Sequence, residues 1–366
     1  MEPRKVLIVG MTPEKGGRET FIMDLYRRID RSKIQFDYIN TCPNKNIAFT
    51  DEIQEMGGRI LYVPMLRHGP IAHYRTLHRV FAEGHYHAVY YNANSFLKNA
   101  DVFQVAEQYQ VPLRILHSHN SSDLIKQPLI QRIREHKARQ AIVRYVTHYF
   151  SCSTEAGKWM FGEETPFTVI NNGIDTERFD FCSEVREQLR SAHAVGNKTV
   201  YGTVARIRPE KNPFFLLDVF SEIHHLQPDS VLWHIGGGSL EPELREKIAL
   251  LGLEDSFLLL GRKDNVEDYL NAMDLFLLPS IHEGFPITLV EAQTSGLRCL
   301  IADTITPDVD LTGNITFLPL TKDPKEWAET AIALASYKRN SCRPAIIEKG
   351  FDVATRVADF EQLILA

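Results

Sequence analysis

Residues 274–296, DLFLLPSIHEGFPITLVEAQTSG, place an apolar run, a short loop and an amphipathic stretch in direct succession. The apolar run is typical of a buried strand. Pro286 suits the first turn of a helix, because its missing N–H would be unpaired there in any case. We therefore expect Glu283 in the loop after a strand and Glu291 on the following helix. Free backbone N–H groups at the helix start predict a phosphate site between the two carboxylates.

Each of these carboxylates can accept hydrogen bonds from a vicinal diol, one on a sugar and one on a ribose. A diphosphate between them would complete a nucleotide-sugar site. The alternative is that both acids are solvated residues flanking a helix start. Further motifs elsewhere in the chain are needed to choose between the two interpretations.

Length and composition limit the class of protein. A chain of 366 residues exceeds one ordinary core and predicts two domains. The net charge of −6 argues against nucleic acid as a partner. The five cysteines are scattered without a CxxC pair, which predicts neither disulfides nor a zinc site and favours a reducing, cytoplasmic setting. The apolar run in MEPRKVLIVG is too short for a signal peptide or a membrane span.

The chain alternates strand-like and helical segments twice, beginning with RKVLIVG at 4–10 and again with TVYGTVARIR at 199–208. Such alternation predicts an α/β protein with two doubly wound parallel sheets. We expect residues 1–177 to form one domain, joined by a C-terminal helix at about 346–366, and residues 178–345 to form the other. Ligands of such folds bind at the carboxyl ends of the strands, here in a cleft between the domains.

A glycine pair and a run of three glycines each follow a strand-like segment and precede a helical one. Gly16 and Gly17 come after the first strand, and Gly236–Gly238 follow the strand-like VLWHI. Without Cβ atoms they let a ligand approach the backbone at a helix start. The alternatives are ordinary turns and flexible connections. Since the first pair does not form GxGxxG, a dinucleotide site is not supported.

Arg206 and Lys211 lie in ARIRPEKN, after a strand and before Asn212 and Pro213, which we predict as the N-cap and first residue of a helix. Two cations there could neutralise a departing diphosphate. Arg208 competes for either role, and solvated surface cations are the alternative.

His117 and His119 end another strand, in RILHSHNSS. Strand alternation would point both side chains to one side, whereas a tight turn could separate them. A metal site lacks a third ligand in the nearby sequence. We expect a polar role at the site for His119, the later residue, and a hydrogen-bonded core position for His117.

Together these elements resemble the retaining glycosyltransferases of family 4, which have the GT-B fold. The resemblance rests on the order of short motifs along most of the chain: Gly16–Gly17, HSH at 117–119, NNGID at 171–175, Arg206 with Lys211, Gly236–Gly238, and EGFPITLVE at 283–291. It implies two Rossmann-like domains facing across a cleft, the first on the acceptor side and the second binding the nucleotide sugar.

The resemblance also implies a role for each candidate residue. Arg206 and Lys211 would hold the diphosphate, Glu283 the donor-sugar hydroxyls and Glu291 the ribose. The remaining implied contacts are the backbone of Phe285, Pro286 and Ile287 around the phosphates, Leu289 near the ribose, Gly237 in the donor pocket, Gly16 and Gly17 facing the phosphates and acceptor, and His119 near the anomeric carbon or transferred sugar.

The chain departs from the family pattern in two places. TITPDVDLTGN at 304–314 replaces a stretch that is commonly glycine-rich, and Arg298 stands where a proline is common.

Asp308 and Asp310 form a DxD, which holds a metal in another class of sugar-transferring enzymes. Because no cluster of carboxylates or histidines adjoins them in sequence, we expect a structural role. The resemblance implies no required metal and no cofactor.

The implied activity is retaining transfer of a sugar from a nucleotide-diphosphate sugar, most simply UDP-linked, to a hydroxyl of a glycan or lipid-linked acceptor in surface polysaccharide synthesis. One alternative is a nucleotide-sugar epimerase or hydrolase of the same fold, which would need an added acid/base carboxylate. Another is a non-catalytic nucleotide-sugar-binding protein.

A basic amphipathic helix is expected at about 126–144, with cations interleaved among apolar residues. On an acidic protein it predicts peripheral contact with an anionic membrane surface, on the cytoplasmic face of the inner membrane. The alternative is a solvated helix packed on its own sheet.

Overall fold

The structure, a computed structural model, describes residues 2–93, 101–119, 144–171 and 173–366. The chain divides into two compact units. Unit 1 comprises Met1–Gly173 and Val353–Ala366, and unit 2 comprises Ile174–Asp352.

Unit 1 is built on a seven-stranded sheet in which every neighbouring pair is parallel. The strand order is β3-β2-β1-β4-β5-β6-β7. The strands are β1 (Arg4–Val9), β2 (Ile34–Asn40), β3 (Arg59–Tyr62), β4 (Ala88–Ala93), β5 (Leu113–Ser118), β6 (His148–Ser151) and β7 (Thr168–Val169). The central strands are apolar on both faces, as expected of a sheet covered by helices on both sides.

The helices described for unit 1 cover the two faces of its sheet, and each face has its own buried cluster. They are α1 (Gly17–Arg28), α2 (Thr50–Glu55), α3 (Pro70–Gly84), α4 (Asp101–Gln108), α5 (Thr154–Phe161) and, from the C-terminus, α13 (Val353–Leu365). The single helix expected at about 346–366 is interrupted, because Gly350 has a φ of 75°. From Val353 onward the chain packs in unit 1, where Phe360 meets Phe36 edge to face.

Unit 2 contains a six-stranded parallel sheet of order β10-β9-β8-β11-β12-β13. Its strands are β8 (Thr199–Val204), β9 (Ser230–Ile235), β10 (Phe257–Gly261), β11 (Leu275–Leu278), β12 (Cys299–Ala302) and β13 (Ile315–Leu318). Its helices are α6 (Ser183–Ala192), α7 (Pro213–Leu226), α8 (Glu241–Leu250), α9 (Val266–Ala272), α10 (Ile287–Thr294), α11 (Pro324–Ala335) and α12 (Arg343–Glu348). The two doubly wound α/β sheets predicted from the sequence are thus confirmed.

In each sheet the first strand in chain order lies in the middle. In unit 1 the chain adds strands on one side of β1 and then crosses to pair β4 on the other. In unit 2 it does the same around β8, with β9 on one side and β11 on the other. At such a switch point the loops after the two strands turn away from each other and leave a crevice at the carboxyl ends, where ligands bind in this class of fold. The strand order therefore locates one crevice after β1 and β4 and another after β8 and β11.

The residue before α7 does not act as predicted. Pro213 is the first residue of the helix, but Asn212 has a left-handed backbone (φ 55°) and its side chain makes no capping hydrogen bond. Asn212 instead ends the 3₁₀ turn Pro209–Lys211, which follows β8. Left-handed geometry is tolerated by asparagine better than by most residues, so the residue type is explained by the turn.

No described helix combines the length and apolar character needed to cross a bilayer.

Candidate functional site

An ion pair joins the two loops at the switch point of unit 2. The Nζ of Lys211, after β8, lies 2.5 Å from both carboxylate oxygens of Glu283, after β11. The side chains are only 17% and 8% exposed, so the pair is shielded from water on most sides. A charge pair in such a position is screened less than a surface pair.

Hydrogen bonds fix this pair to three neighbouring strand ends. The buried Ser280 hydroxyl donates to Glu283 Oε1 at 2.7 Å. Thr304, after β12, donates to the Ser280 carbonyl at 2.7 Å. The N–H of Ile281 donates to the Glu210 carbonyl in the turn after β8. The Glu283 carboxylate is therefore held in one orientation before any ligand arrives.

The helix expected after Glu283 begins at Ile287, with Pro286 immediately before it in extended conformation. The Phe285 ring stacks on Phe351, with ring centroids 5.3 Å apart and planes at 10°. Glu291 lies half-buried on α10, whereas the side chain of Leu289 is fully buried in the core of unit 2. The start of α10 thus presents backbone N–H groups beside Glu283, and these groups favour an anion.

The glycine run after β9 packs directly against the segment that carries Arg206. Gly236 has a φ of 130°, and a Cβ built there would stand 2.1 Å from the Ala205 carbonyl oxygen. The N–H of Ile207 donates to the Gly237 carbonyl. Arg206 itself is exposed. The glycines therefore serve a close backbone approach that keeps Arg206 next to the loop before α8.

The glycine pair of unit 1 starts α1, with Gly16 as the N-cap and Gly17 as the first residue. Neither has a positive φ. The loop is held by the buried carboxylate of Glu19, which accepts hydrogen bonds from the Thr12 hydroxyl at 2.8 Å and the Arg18 guanidinium at 2.7 Å. A Cβ on Gly17 would meet nothing within 4 Å, so the backbone there is open to an approaching group.

The two histidines of unit 1 lie side by side, as their alternation predicts, with ring centroids 4.0 Å apart. His117 is fully buried, and its Nδ1 is 2.6 Å from the Tyr90 hydroxyl. His119 Nε2 is 3.0 Å from the Asn92 Oδ1 at the end of β4. Phe21 packs edge-on to both rings.

Both imidazoles are neutral at physiological pH. Burial lowers the pKa of His117 to about 3. Burial, and then the neighbouring His117 and Arg18, hold the pKa of His119 well below its usual range. Within the described residues, His119 Nδ1, His117 Nε2 and Asn92 Nδ2 are buried without a hydrogen-bond partner. Such atoms are costly to bury unless something binds them.

Each unit therefore brings its own predicted residues together at the carboxyl edge of its sheet. Arg206, Lys211, Gly237, Glu283 and the start of α10 belong to unit 2, whereas Gly16, Gly17 and His119 belong to unit 1. The helix expected at about 126–144 lies outside the described residues except for Arg144, as does Asn172 of NNGID.

The DxD pair is part of a turn, since Asp310 Oδ1 accepts a hydrogen bond from the N–H of Gly313 at 2.8 Å. Over the ranges that the structure describes, no three His, Cys, Asp or Glu side chains converge as a metal site.

Sequence reasoning missed the residues that orient the candidates. Ser280 bonds Glu283, Thr304 bonds Ser280, Asn92 bonds His119, and Phe351 stacks on Phe285. Ser280 and Asn92 had a usable signal, because each is a polar residue at the carboxyl end of an apolar strand. Thr304 and Phe351 had none, because their contacts depend on how distant segments pack.

Comparisons with known proteins agree on the class. Residues 185–343 match the family model described as "Glycosyl transferases group 1". The chain is 32% identical over 368 residues to the putative glycosyltransferase EpsF of Bacillus subtilis, covering 97% of this chain and 94% of that protein. It is 32% identical over 152 residues to a UDP-Gal:α-D-GlcNAc-diphosphoundecaprenol α-1,3-galactosyltransferase of Escherichia coli, covering 40% and 39% of the two chains.

The fold is similar to the crystal structure of Anabaena HepE in complex with UDP. The TM-score is 0.76 at 19% identity, covering 98% of this chain and 99% of that one. The same protein has also been solved with UDP-glucose, with a TM-score of 0.69. At this identity the likeness establishes the GT-B fold alone.

The glycine run offers a matched test of the packing. A Cβ at Gly238 would lie 2.2 Å from the Ile207 carbonyl oxygen, whereas one at Gly237 would meet nothing closer than 3.4 Å. We expect Gly238→Ala to lower the free energy of unfolding by about 1–3 kcal/mol, because the backbone must shift. Gly237→Ala should stay within about 0.5 kcal/mol of the wild type. Denaturant unfolding measures both, and equal losses would contradict the described packing.

Proposed function

This chain belongs to the group 1 glycosyltransferases, and we propose that it moves a sugar from a UDP-linked donor, with retention of anomeric configuration, to a glycan or lipid-linked acceptor. The observation that carries the proposal is the shielded Lys211–Glu283 pair at the switch point of unit 2. It sets a cation and an oriented carboxylate beside a helix start. The cation and the helix-start N–H groups can bind a diphosphate, and the carboxylate can bind sugar hydroxyls.

Lys211 and Arg206 bind the donor diphosphate in this proposal. Both follow β8, and Lys211 pairs with Glu283, which lies in the loop just before α10 and its first N–H groups around Phe285 and Ile287. Cations and helix-start amides stabilise the charge that develops on a departing nucleoside diphosphate. Such groups act strongly because they are preorganised, and the hydrogen bonds around Ser280 and Glu210 supply that preorganisation.

Glu283 accepts hydrogen bonds from the donor-sugar hydroxyls, and Glu291 accepts them from the ribose. Glu291 lies four residues after Ile287, the first residue of α10, and so about one turn further along the helix. Since the Leu289 side chain is buried in the core, only its backbone is available to a nucleoside. Gly237 lines the donor pocket from the neighbouring loop.

His119 contacts the transferred sugar. Its neutral imidazole can accept one hydrogen bond from a hydroxyl through Nδ1, and Asn92 Nδ2 can donate a second, since neither atom has a partner among the described residues. Gly17 leaves the start of α1 open to the acceptor and phosphates, and Gly16 precedes it as the N-cap beside the Glu19 carboxylate.

The proposed reaction uses no metal and no enzymic nucleophile. Positive charge at the diphosphate supports departure of the leaving group, and the acceptor hydroxyl attacks from the same face. The C–O bond to the diphosphate breaks, the C–O bond to the acceptor forms, and the acceptor proton passes to the departing diphosphate. The similarity to polysaccharide-related enzymes supports a role in surface polysaccharide synthesis at the cytoplasmic face of the membrane.

The proposal is tested by incubating the protein with UDP-glucose, UDP-galactose, UDP-N-acetylglucosamine and GDP-mannose, with and without an isoprenoid-diphosphate-linked sugar. We expect acceptor-dependent release of UDP and a product with the anomeric configuration of the donor, read by NMR. Turnover of GDP-mannose and of no UDP-sugar would refute the UDP-linked donor. A product with inverted anomeric configuration would refute retention. Conversion of the sugar without an acceptor would instead indicate an epimerase or hydrolase.

The two glutamates should separate nucleotide binding from turnover. Glu291→Gln should weaken UDP affinity about 10- to 100-fold, because a charged hydrogen bond to the ribose is lost. Glu283→Gln should leave UDP affinity within about threefold while lowering kcat at least about 100-fold. Titration calorimetry and steady-state kinetics measure the two effects, with exposed Glu254→Gln as control. Unchanged UDP affinity in Glu291→Gln would refute the ribose assignment.

Ser280 offers a test of positioning. Ser280→Ala removes the hydroxyl that orients Glu283, so kcat should fall about tenfold while the donor KM stays unchanged. Exposed Ser336→Ala should behave as the wild type. A raised KM with unchanged kcat would mean that the hydroxyl serves donor binding rather than the orientation of Glu283.

A further inference from the structure

Unit 1 carries a basic surface on α3 that the proposed chemistry does not use. We call it the α3 surface and define it by Leu66, Arg67, Ile71, Arg75 and Arg79. No aspartate or glutamate stands between Glu55 and Glu83 in the sequence. On a chain with net charge −6, such an acid-free stretch concentrates positive charge on one part of the molecule.

The cations of the α3 surface are exposed and have no acidic partner within the part of the chain that the structure describes. Arg67, Arg75 and Arg79 are all exposed, and none forms an ion pair with any described carboxylate. Arg59, the other arginine of the stretch, is different because it pairs with the buried Asp37. The three remaining guanidinium groups are therefore available to an external anion.

Large apolar side chains stand among these cations. Ile71 is 77% exposed in the first turn of α3, and Leu66 is 39% exposed in the 3₁₀ turn just before it. The opposite face of the helix is already used, since Leu77, Val80 and Phe81 pack in the core of unit 1. The outer face is thus apolar at Ile71, in the first turn, and cationic at Arg75 and Arg79, one and two turns further along the helix.

We infer that the α3 surface docks this protein on an anionic lipid bilayer. Ile71 and Leu66 enter the boundary between headgroups and acyl chains, and the three arginines bind lipid phosphates. Charge complementarity favours this partner over an apolar protein face, because the cations surround the apolar side chains. The inference does not depend on the proposed transfer reaction, and it concerns residues other than those of the predicted segment at 126–144.

The test compares two triple variants that lose the same charge and the same apolar character. Ile71→Ser/Arg75→Gln/Arg79→Gln changes the α3 surface. Leu250→Ser/Lys325→Gln/Lys338→Gln is the matched control on unit 2, where Leu250 is 86% exposed and both lysines are exposed. Binding is measured by sedimentation with vesicles of phosphatidylcholine alone and with phosphatidylglycerol added. Since all six residues are exposed, both variants should keep the wild-type Tm.

We expect the wild type and the control to bind the anionic vesicles, and to bind less at high salt. The α3 variant should bind at least about 25-fold more weakly, from about fivefold for each arginine. Equal binding by the two variants, or no binding by the wild type, would overturn the inference. Retention on heparin without vesicle binding would also overturn it, and would indicate a soluble polyanionic partner.

Discussion

The ion pair between Lys211 and Glu283 is the constraint on which the proposed site depends. It spans the point in unit 2 where the chain crosses from one side of β8 to the other, so it joins two loops that the topology would otherwise leave apart. Because both side chains are largely shielded, loss of one partner would leave an uncompensated charge. Ser280 and Thr304 extend the constraint to β12. A donor therefore meets a carboxylate and a cation that are already oriented.

The fold could be predicted from the sequence because its signals are local. The apolar runs at the beginning of each half became the central strands β1 and β8, and polar residues after them lie at the carboxyl edges. Lys211, after β8, and Glu283, after the apolar run that became β11, were found in this way. Their direct contact could not be, because it joins positions 72 residues apart through packing that no local pattern encodes. Asn212 illustrates a local failure, since left-handed and capping asparagines have similar sequence contexts.

Unit 1 shows the same division between local and distant information. The spacing of His117 and His119 predicted that they share a side, and the rings are neighbours. Their neutral state follows from burial among Phe21, Tyr90 and Asn92, which two other elements, α1 and β4, supply. Composition likewise predicted a membrane-facing helix at about 126–144, and this stays a prediction because nearly all of the segment lies outside the described residues. The α3 surface was not predicted, because its exposure depends on packing that sequence alone does not give.

A crystal structure of the protein with a UDP-sugar tests the central claim most directly. The account predicts the diphosphate within hydrogen-bond distance of Lys211 Nζ and of the first N–H groups of α10. It also predicts the ribose hydroxyls on Glu291 and a sugar hydroxyl on Glu283. A nucleotide bound elsewhere in unit 2, with Lys211 and Glu283 still paired only to each other, would contradict the account.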